Sequence, residues 1–93
     1  MEKTHIGVSI VEDNPKMREL LTRLVTMTPT LKYVSEYNCA EDALVGLPKD
    51  RPDMVIMDID FNTTMTGVEC MFRLKLKHPE MNFLMFTVFE ESD

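Results

Sequence analysis

Acidic side chains follow two separate apolar runs of this chain. Asp58 comes directly after residues 55–57, and Glu12 and Asp13 come directly after residues 6–11. A carboxylate at the edge of a core is costly unless a cation or hydrogen bonds compensate it. Clustered carboxylates repel one another, and a divalent cation relieves that repulsion. Oxygen ligands of this kind favour Mg²⁺, so the two acidic run ends are a candidate magnesium site.

The candidate reaction at such a site is phosphoryl transfer. A carboxylate beside Mg²⁺ can attack a phosphorus centre and form an acyl phosphate, which would make Asp58 the nucleophile. The metal would neutralise the charge that develops on the phosphoryl oxygens. Thr87 stands near the end of a further apolar run at residues 82–88, and its hydroxyl could hydrogen-bond a phosphoryl oxygen.

The elements that must bring these residues together alternate along the chain. Apolar, β-branched runs predict strands, and apolar residues at every third or fourth position predict helices. Alternating strands and helices predict a doubly wound α/β fold with a parallel sheet and right-handed crossovers. Ligands bind at the carboxyl ends of the strands in such sheets, where all four candidate residues fall. The predicted strands are 5–11, 31–37, 53–58 and 82–88, and the predicted helices are 15–27, 40–47 and 67–77.

Local signals set the ends and the buried faces of the helices. Asn14 is a favourable N-cap for the first helix, and Pro15 suits its first turn. Pro48 is expected to close the second helix, because proline cannot donate a main-chain hydrogen bond. One apolar stripe on each of two helices is expected to face the sheet. The stripes are Met17, Leu20, Leu21, Leu24 and Val25 in the first helix, and Val68, Met71, Phe72 and Leu74 in the third.

Composition limits the classes of protein that this chain can represent. It has 93 residues, 44% of them hydrophobic and 28% charged, which suits one folded domain. The net charge of −6 argues against direct contact with nucleic acid or an anionic membrane. The two cysteines form no CxxC pair, so neither a zinc site nor a disulfide is expected. No apolar stretch is long enough to span a bilayer or resembles a signal peptide, which predicts a cytoplasmic location.

Four segments together resemble the receiver domain of two-component response regulators. They are residues 10–14 (Ile-Val-Glu-Asp-Asn), 52–59 (Pro-Asp-Met-Val-Ile-Met-Asp-Ile), 65–69 (Met-Thr-Gly-Val-Glu) and 84–87 (Leu-Met-Phe-Thr). The resemblance runs through the whole chain in register. It implies a flavodoxin-like fold with strand order 2-1-3-4.

The resemblance also implies a role for each candidate site residue. Asp58 would accept a phosphoryl group from a sensor histidine kinase. Mg²⁺ would be bound by Asp13, Asp58 and the main-chain carbonyl of Asp60, with Glu12 assisting through water. Thr87 would be the switch hydroxyl that moves toward the phosphoryl group. The domain itself would not be an enzyme.

The output of such a regulator would lie outside this chain. Residues 86–90 (Phe-Thr-Val-Phe-Glu) resemble transcriptional regulators with a LuxR-type helix-turn-helix. The resemblance therefore implies a C-terminal DNA-binding output domain that controls transcription.

Two features depart from the family pattern. Asn62 stands where receivers usually have proline, and Gly67 lies one position later than expected. We therefore expect a one-residue insertion within residues 61–64, in the loop over the site. The second departure is that residues 1–93 contain no counterpart of the fifth strand, its lysine and aromatic switch residue, or the fourth and fifth helices.

We therefore expect residues 1–93 to form an incomplete receiver domain. Strand 82–88 would be an exposed apolar edge, which is a hazard for aggregation or pairing. Helix 15–27 alone would cover one face of the sheet. We expect the isolated segment to dimerise or to swap elements with a second copy.

Two other interpretations of the sequence remain open. The triplet Asp58-Ile59-Asp60, with Thr63 after it, resembles the signature of haloacid-dehalogenase-type phosphatases. In that interpretation Asp58 is the nucleophile and Asp60 the general acid/base, and Glu12 has no assigned role. The other interpretation is a receiver-like module that binds proteins without being phosphorylated.

Overall fold

A four-stranded parallel sheet forms the centre of the molecule. The computed structural model describes residues 5–61 and 65–87. The strand order is β2-β1-β3-β4, and every neighbouring pair of strands is parallel. The predicted doubly wound α/β fold and its strand order are confirmed. The elements are β1 (Ile6–Val11), α1 (Pro15–Met27), β2 (Leu31–Tyr37), α2 (Ala40–Asp50), β3 (Met54–Asp58), α3 (Gly67–Lys77) and β4 (Asn82–Phe86).

The strand register brings the acids at the ends of β1 and β3 to one edge of the sheet. Val11 at the end of β1 pairs with Met57 of β3, so Glu12 and Asp58 are the next residues along the two neighbouring strands. Asp58 pairs in turn with Phe86 of β4. Three consecutive strands therefore end at the same level.

The pairing of β1 with β2 contains an irregularity. Val8 pairs with Tyr33, whereas the next residue, Ser9, pairs with Ser35. Val34 is thus an extra residue on β2, and the ladder has a β-bulge at this point. The Ser9 and Ser35 hydroxyls lie 2.7 Å apart and form a hydrogen bond within the sheet.

Two apolar clusters occupy the two faces of the sheet. The larger lies under α2 and α3, and the smaller lies under α1, which is the helix that the sequence predicted for that face. The larger cluster has as its buried members Val11, Ala40, Ala43, Leu47, Val55, Met57, Phe61, Cys70, Leu74 and Met81. The smaller has Val8, Ile10, Val25 and Ile56.

The first helix begins where the sequence predicts, and the second extends further. The side chain of Asn14 accepts hydrogen bonds from the amides of Lys16 and Met17, each at 3.0 Å. Helix α2 continues past Pro48 to Asp50, so the prediction that Pro48 closes it was wrong. Pro48 removes one main-chain donor near the helix end, and the helix still finishes its last turn. Arg51 then ends it in the left-handed conformation, with φ 51° and ψ 55°.

The predicted apolar stripes are only partly buried. Leu21 and Val25 of α1 pack into the smaller cluster, but Leu20 and Leu24 are 60% and 61% exposed. The helix is turned so that its opposite flank, which carries Arg18, meets β2. On α3, Leu74 is buried and Met71 packs against the larger cluster. Val68 and Phe72 are exposed, so their predicted inward orientation was wrong.

The fourth strand is the edge of the sheet within the described residues. It ends at Phe86 rather than at the predicted residue 88, and Val88 lies outside the described residues. Phe83 and Met85 pack toward the α3 side, whereas Leu84 is more than half exposed on the α1 side. The third strand begins at Met54, one residue later than predicted. Asp53, just before it, donates its amide to the Gly7 carbonyl at 2.8 Å, and its Oδ2 accepts the Gly7 amide at 2.6 Å.

Further sequence predictions concern the cysteines and the membrane. Cys39 and Cys70 are both free thiols, as predicted. Among the described residues, no helix combines the length and the apolar character that crossing a bilayer would require.

Candidate functional site

The end of β1 positions the first pair of acids. The amide of Glu12 donates to the Tyr37 carbonyl at 3.0 Å, which continues the β1–β2 ladder by one bond. The Glu12 side chain is buried, with 1% of its surface exposed, and its Oε2 accepts the amide of Asn14 at 3.0 Å. Because Asn14 also caps α1, the strand end, the acidic turn and the helix start form one hydrogen-bonded unit.

The end of β3 positions the proposed nucleophile. Asp58 is the last residue of the strand and is buried. Its Oδ1 accepts the amide of Asp60 at 3.2 Å, which fixes the side chain in a tight turn. The amide of Ile59, the residue after Asp58, donates to the Phe86 carbonyl at 2.7 Å and ties the turn to β4.

Three of the predicted site residues come together as an acidic cluster. Glu12, Asp13 and Asp58 each offer one carboxylate oxygen, and these oxygens all lie within 4.8 Å of one another. Asp60 is exposed beside them, and its side chain is not one of the three. The assignment of its main-chain carbonyl as a metal ligand stays a prediction.

Burial and mutual repulsion raise the pKa values of two carboxylates in the cluster, Glu12 and Asp58. Desolvation by burial raises the pKa of Glu12 to about 7, and the hydrogen bond from Asn14 opposes this. The charges of Asp13 and Asp58 raise the pKa of Glu12 further. Desolvation likewise raises the pKa of Asp58, the hydrogen bond from Asp60 lowers it, and the charges of Asp13 and Asp60 raise it. A cation bound at the cluster would stabilise the ionised carboxylates and so offset the desolvation and repulsion that raise these pKa values.

The residues present fit a magnesium ion. All of the converging side-chain atoms are carboxylate oxygens, which are the ligands that Mg²⁺ prefers. Three carboxylates leave further positions of an octahedral shell for water and for phosphoryl oxygens. Glu12, Asp13 and Asp58 are therefore the candidate metal-binding side chains.

The predicted switch residue lies near the cluster but does not join it. Thr87 follows Phe86, the partner of Asp58 in the sheet, so it stands at the same edge. It is exposed, and its Oγ1 donates to Oδ2 of Asp60 at 3.4 Å. The hydroxyl thus contacts the carboxylate two residues after the proposed nucleophile.

Gly67 makes a contact with the site that the sequence did not predict. The sequence predicts Gly67 as the start of α3 and matches it to the glycine of the family pattern, and α3 does begin there, with Thr66 as its N-cap. Its amide donates to the Ile59 carbonyl at 2.9 Å. A Cβ atom on Gly67 would overlap the main-chain oxygen of Asp58. The signal available in the sequence was a glycine placed a few residues after the acidic strand end.

The predicted insertion falls largely outside the described part of the chain. Residues 62–64, which include Asn62 and Thr63, are not among the described residues. Phe61, immediately before them, is buried in the larger cluster.

This fold and this acidic edge match a known family. A family model described as the response regulator receiver domain matches residues 8–93. The chain belongs to this family. The receiver domain resemblance inferred from the sequence is therefore confirmed, and with it the two-component, response-regulator class of the protein.

Curated relatives of this receiver domain include enzymes and transcriptional regulators. A protein-glutamate methylesterase/protein-glutamine glutaminase of Syntrophus aciditrophicus is 35% identical over 74 residues, which are 80% of this chain and 21% of that protein. The response regulator GacA of Pseudomonas aeruginosa is 30% identical over 92% of this chain and 40% of its own. The chain thus spans two fifths or less of the length of these relatives.

Solved structures give the same fold. The response regulator domain of Thermotoga maritima CheB aligns with a TM-score of 0.82 and 25% identity, over 89% of this chain and 60% of that one. A LuxR-family two-component response regulator from Aurantimonas sp. SI85-9A1 aligns with a TM-score of 0.84 and 26% identity, over 92% and 61%.

Proposed function

We propose that this receiver domain accepts a phosphoryl group on Asp58 from a sensor histidine kinase, in a magnesium-dependent reaction. The observation that carries the proposal is the acidic cluster. Three carboxylate oxygens within 4.8 Å of one another stand at the carboxyl edge of the sheet, and one belongs to Asp58. Membership of the receiver family supports phosphorelay signalling as the context.

The hydrogen bond from the amide of Asp60 to Oδ1 at 3.2 Å orients the Asp58 carboxylate. We propose that Oδ2 is the attacking oxygen. This oxygen forms a bond to phosphorus while the bond from phosphorus to the kinase's imidazole nitrogen breaks. The other ring nitrogen of the phosphohistidine carries a proton, so the imidazole leaves as the neutral ring. When bound, Mg²⁺ would offset negative charge on the transferred phosphoryl group. Glu12, Asp13, Asp58 and the main-chain carbonyl of Asp60 would hold it.

Thr87 is proposed to report the phosphorylation. Its hydroxyl now donates to Asp60 at 3.4 Å, which is a long and weak hydrogen bond. A phosphoryl group on Asp58 would offer three stronger acceptor oxygens at the same edge. Thr87 would exchange Asp60 for one of them, and the change would move the end of β4.

The relatives of this chain support a proposal about the output of the protein. DegU of Brevibacillus brevis, which is 25% identical over 98% of this chain, is a transcriptional regulatory protein, and one structural relative is of the LuxR family. We therefore propose a DNA-binding output domain outside this segment. We also propose a cytoplasmic location, shared with the kinase. Residues 1–93 would then be an incomplete receiver domain with no enzymatic activity of its own.

The alternatives make different predictions about Glu12 and Asp60. The family match extends over residues 8–93 and so includes Glu12, which the phosphatase interpretation leaves without a role. A phosphatase would need the Asp60 carboxylate as general acid/base, whereas a receiver would need only its main-chain carbonyl. A purely protein-binding receiver would need neither group.

The test is phosphorylation of the full-length protein by acetyl phosphate with Mg²⁺, followed by intact-mass analysis. We expect one phosphoryl group on the wild type, none on Asp58→Asn, and one on Asp60→Ala. Beryllofluoride, which mimics the aspartyl phosphate, should alter the wild-type spectrum only when Mg²⁺ is present. A wild type that gains no phosphoryl group would exclude the proposal in favour of the protein-binding interpretation. Turnover of a phosphate ester that disappears in Asp60→Ala would favour the phosphatase.

A further inference from the structure

We propose that Arg18 is a positioning residue that holds residues 12–13 in the geometry that binds a divalent cation. The inference rests on the proposed function of the acidic cluster. Arg18 acts through the main chain that carries two of the three carboxylates, those of Glu12 and Asp13.

Arg18 reaches from α1 to the end of β1. Its Nη1 donates to the main-chain carbonyl of Glu12 at 2.8 Å, and its amide donates to the carbonyl of Asn14 at 2.9 Å. The Arg18 side chain is only 19% exposed. One residue therefore contacts the main chain on both sides of Asp13.

A second strand holds the guanidinium in place. Arg18 Nε donates to Oε2 of Glu36 on β2 at 3.1 Å. Oε1 of Glu36 in turn accepts the hydroxyl of Tyr33 at 2.9 Å and that of Thr22 at 3.3 Å. Burial, together with the hydrogen bond to Glu36, raises the pKa of Tyr33 to about 12, so Tyr33 remains a donor near neutral pH.

A hydrogen bond to the Glu12 carbonyl can influence the directions of two carboxylates of the cluster. It belongs to the peptide group that joins Glu12 to Asp13, and this group is planar. The Glu12 amide is already fixed by Tyr37 at 3.0 Å, so Arg18 fixes the other polar main-chain atom of the same residue. Rotation of that peptide group would change the directions of both carboxylates. Outer partners that orient metal ligands commonly change metal affinity by about 10–100-fold.

The contact pattern requires arginine in particular. Two different nitrogens of one planar guanidinium meet two acceptors, one on β2 and one just past the end of β1. A lysine ammonium is a single point and lacks this fork, so it could serve one acceptor well but not both.

The test is a titration of the full-length protein with Mn²⁺ as the probe ion, followed by electron paramagnetic resonance. We expect Arg18→Ala to bind Mn²⁺ about tenfold more weakly than the wild type. Arg18→Lys should regain part of the loss. Arg23→Ala is the matched control, because Arg23 lies on the same helix in an exposed pair with Glu19, 3.9 Å away. It should bind Mn²⁺ like the wild type.

A purely structural role would give a different result. In that case Arg18→Ala would lower the melting temperature without metal, yet the folded protein would keep its affinity for Mn²⁺. Equal Mn²⁺ affinity in the wild type and Arg18→Ala would overturn the inference, and Asp58-dependent phosphorylation of the wild type would show that the proposed function still stands. A wild type that binds no Mn²⁺ would overturn both.

A second variant guards against loss of the fold in Arg18→Ala. Glu36→Ala removes the anchor of the guanidinium from an exposed position outside the cluster. We expect it to weaken Mn²⁺ binding in the same direction, by less than Arg18→Ala does. Far-UV circular dichroism would establish folding, and unchanged Mn²⁺ affinity in folded Glu36→Ala would count against the inference.

Discussion

The backbone of Gly67 lies directly against the main-chain carbonyl of Asp58. A methyl group on Gly67 would overlap that oxygen and would also come within 3.2 Å of the Cα of Ile59. The neighbouring atoms are main-chain atoms, which cannot move aside as a flexible side chain can. Glycine is therefore required here by the close approach of two backbones.

Gly67→Ala should consequently displace Asp58. We expect a loss of stability of about 1–3 kcal/mol, as in other overpacked sites, together with a clear drop in the rate of phosphorylation by acetyl phosphate. Gly46→Ala is the comparison, because Gly46 lies on α2 and a Cβ there would meet the side chain of Tyr37 rather than Asp58. It should lower stability while Asp58 is still phosphorylated at the normal rate. Equal rates in wild type and Gly67→Ala would contradict the prediction.

Glu12 should make the metal-free protein less stable as pH rises toward neutrality. Its folded pKa of about 7 lies above the ordinary value of 4.5, so the folded state binds more protons than the unfolded state between these values. The free energy of unfolding therefore falls as pH rises through this window. Urea unfolding at a series of pH values without metal would measure it. Glu12→Gln should flatten the slope, and an unaltered slope in that variant would be inconsistent with the assignment.

The same group should link metal binding to pH. Cation binding requires the ionised carboxylate, so it displaces the proton from Glu12. We expect the affinity for Mg²⁺ to rise as pH increases through about 7. Calorimetric titrations in buffers of different ionisation enthalpy would reveal the released proton. Proton release at neutral pH should diminish in Glu12→Gln, which also removes one ligand.

Thr87 should separate phosphorylation from the structural response. Thr87→Val removes the hydroxyl with little change of shape and leaves Asp58 intact. We expect phosphorylation close to that of the wild type, but a smaller change in hydrogen exchange along β4 after addition of beryllofluoride. Thr26→Val serves as the control, because the Thr26 hydroxyl donates to the Arg23 carbonyl on the surface of α1. A full β4 response in Thr87→Val would argue against the switch role.

Exposed apolar side chains on α1 and β4 should drive self-association of the 93-residue polypeptide. Leu20 and Leu24 on α1 and Leu84 on β4 are all more than half exposed on one side of the sheet. Unpaired strand edges with apolar neighbours favour pairing with another chain. We expect light scattering to give a mass above that of the monomer, and Leu84→Lys to shift it toward the monomer. Val45→Lys, at an exposed position on α2, should leave the mass unchanged.

The sequence predicted that the acids would lie together, because the signals for this are local. An apolar run that ends in an acid marks both a strand and the edge at which its side chain emerges, so Glu12, Asp13 and Asp58 could be placed together. Asn14 followed by proline marked the start of α1 for a similarly local reason.

The parts that the sequence did not predict depend on how elements approach one another. The burial of Leu21 and the exposure of Leu20 depend on the rotation of α1 over the sheet, which periodicity alone does not fix. The contact of Gly67 with Asp58 joins residues on opposite sides of a loop. The contacts of Arg18 with Glu36 and with the Glu12 carbonyl form only once α1 lies beside β2 and the end of β1.

The bulge at Val34 determines which side chains of β2 share a face of the sheet, and so it affects the proposed metal site. Residues three apart on a regular strand project to opposite sides, yet Tyr33 and Glu36 meet at 2.9 Å, because the extra residue reverses the alternation between them. Removing Val34 would restore the regular alternation and turn one of these side chains to the far face of the sheet. Either Glu36 would no longer accept the hydrogen bond from Arg18, or Tyr33 would no longer donate to Glu36. Deletion of one apolar residue that is not part of the acidic cluster would thus alter the proposed magnesium site.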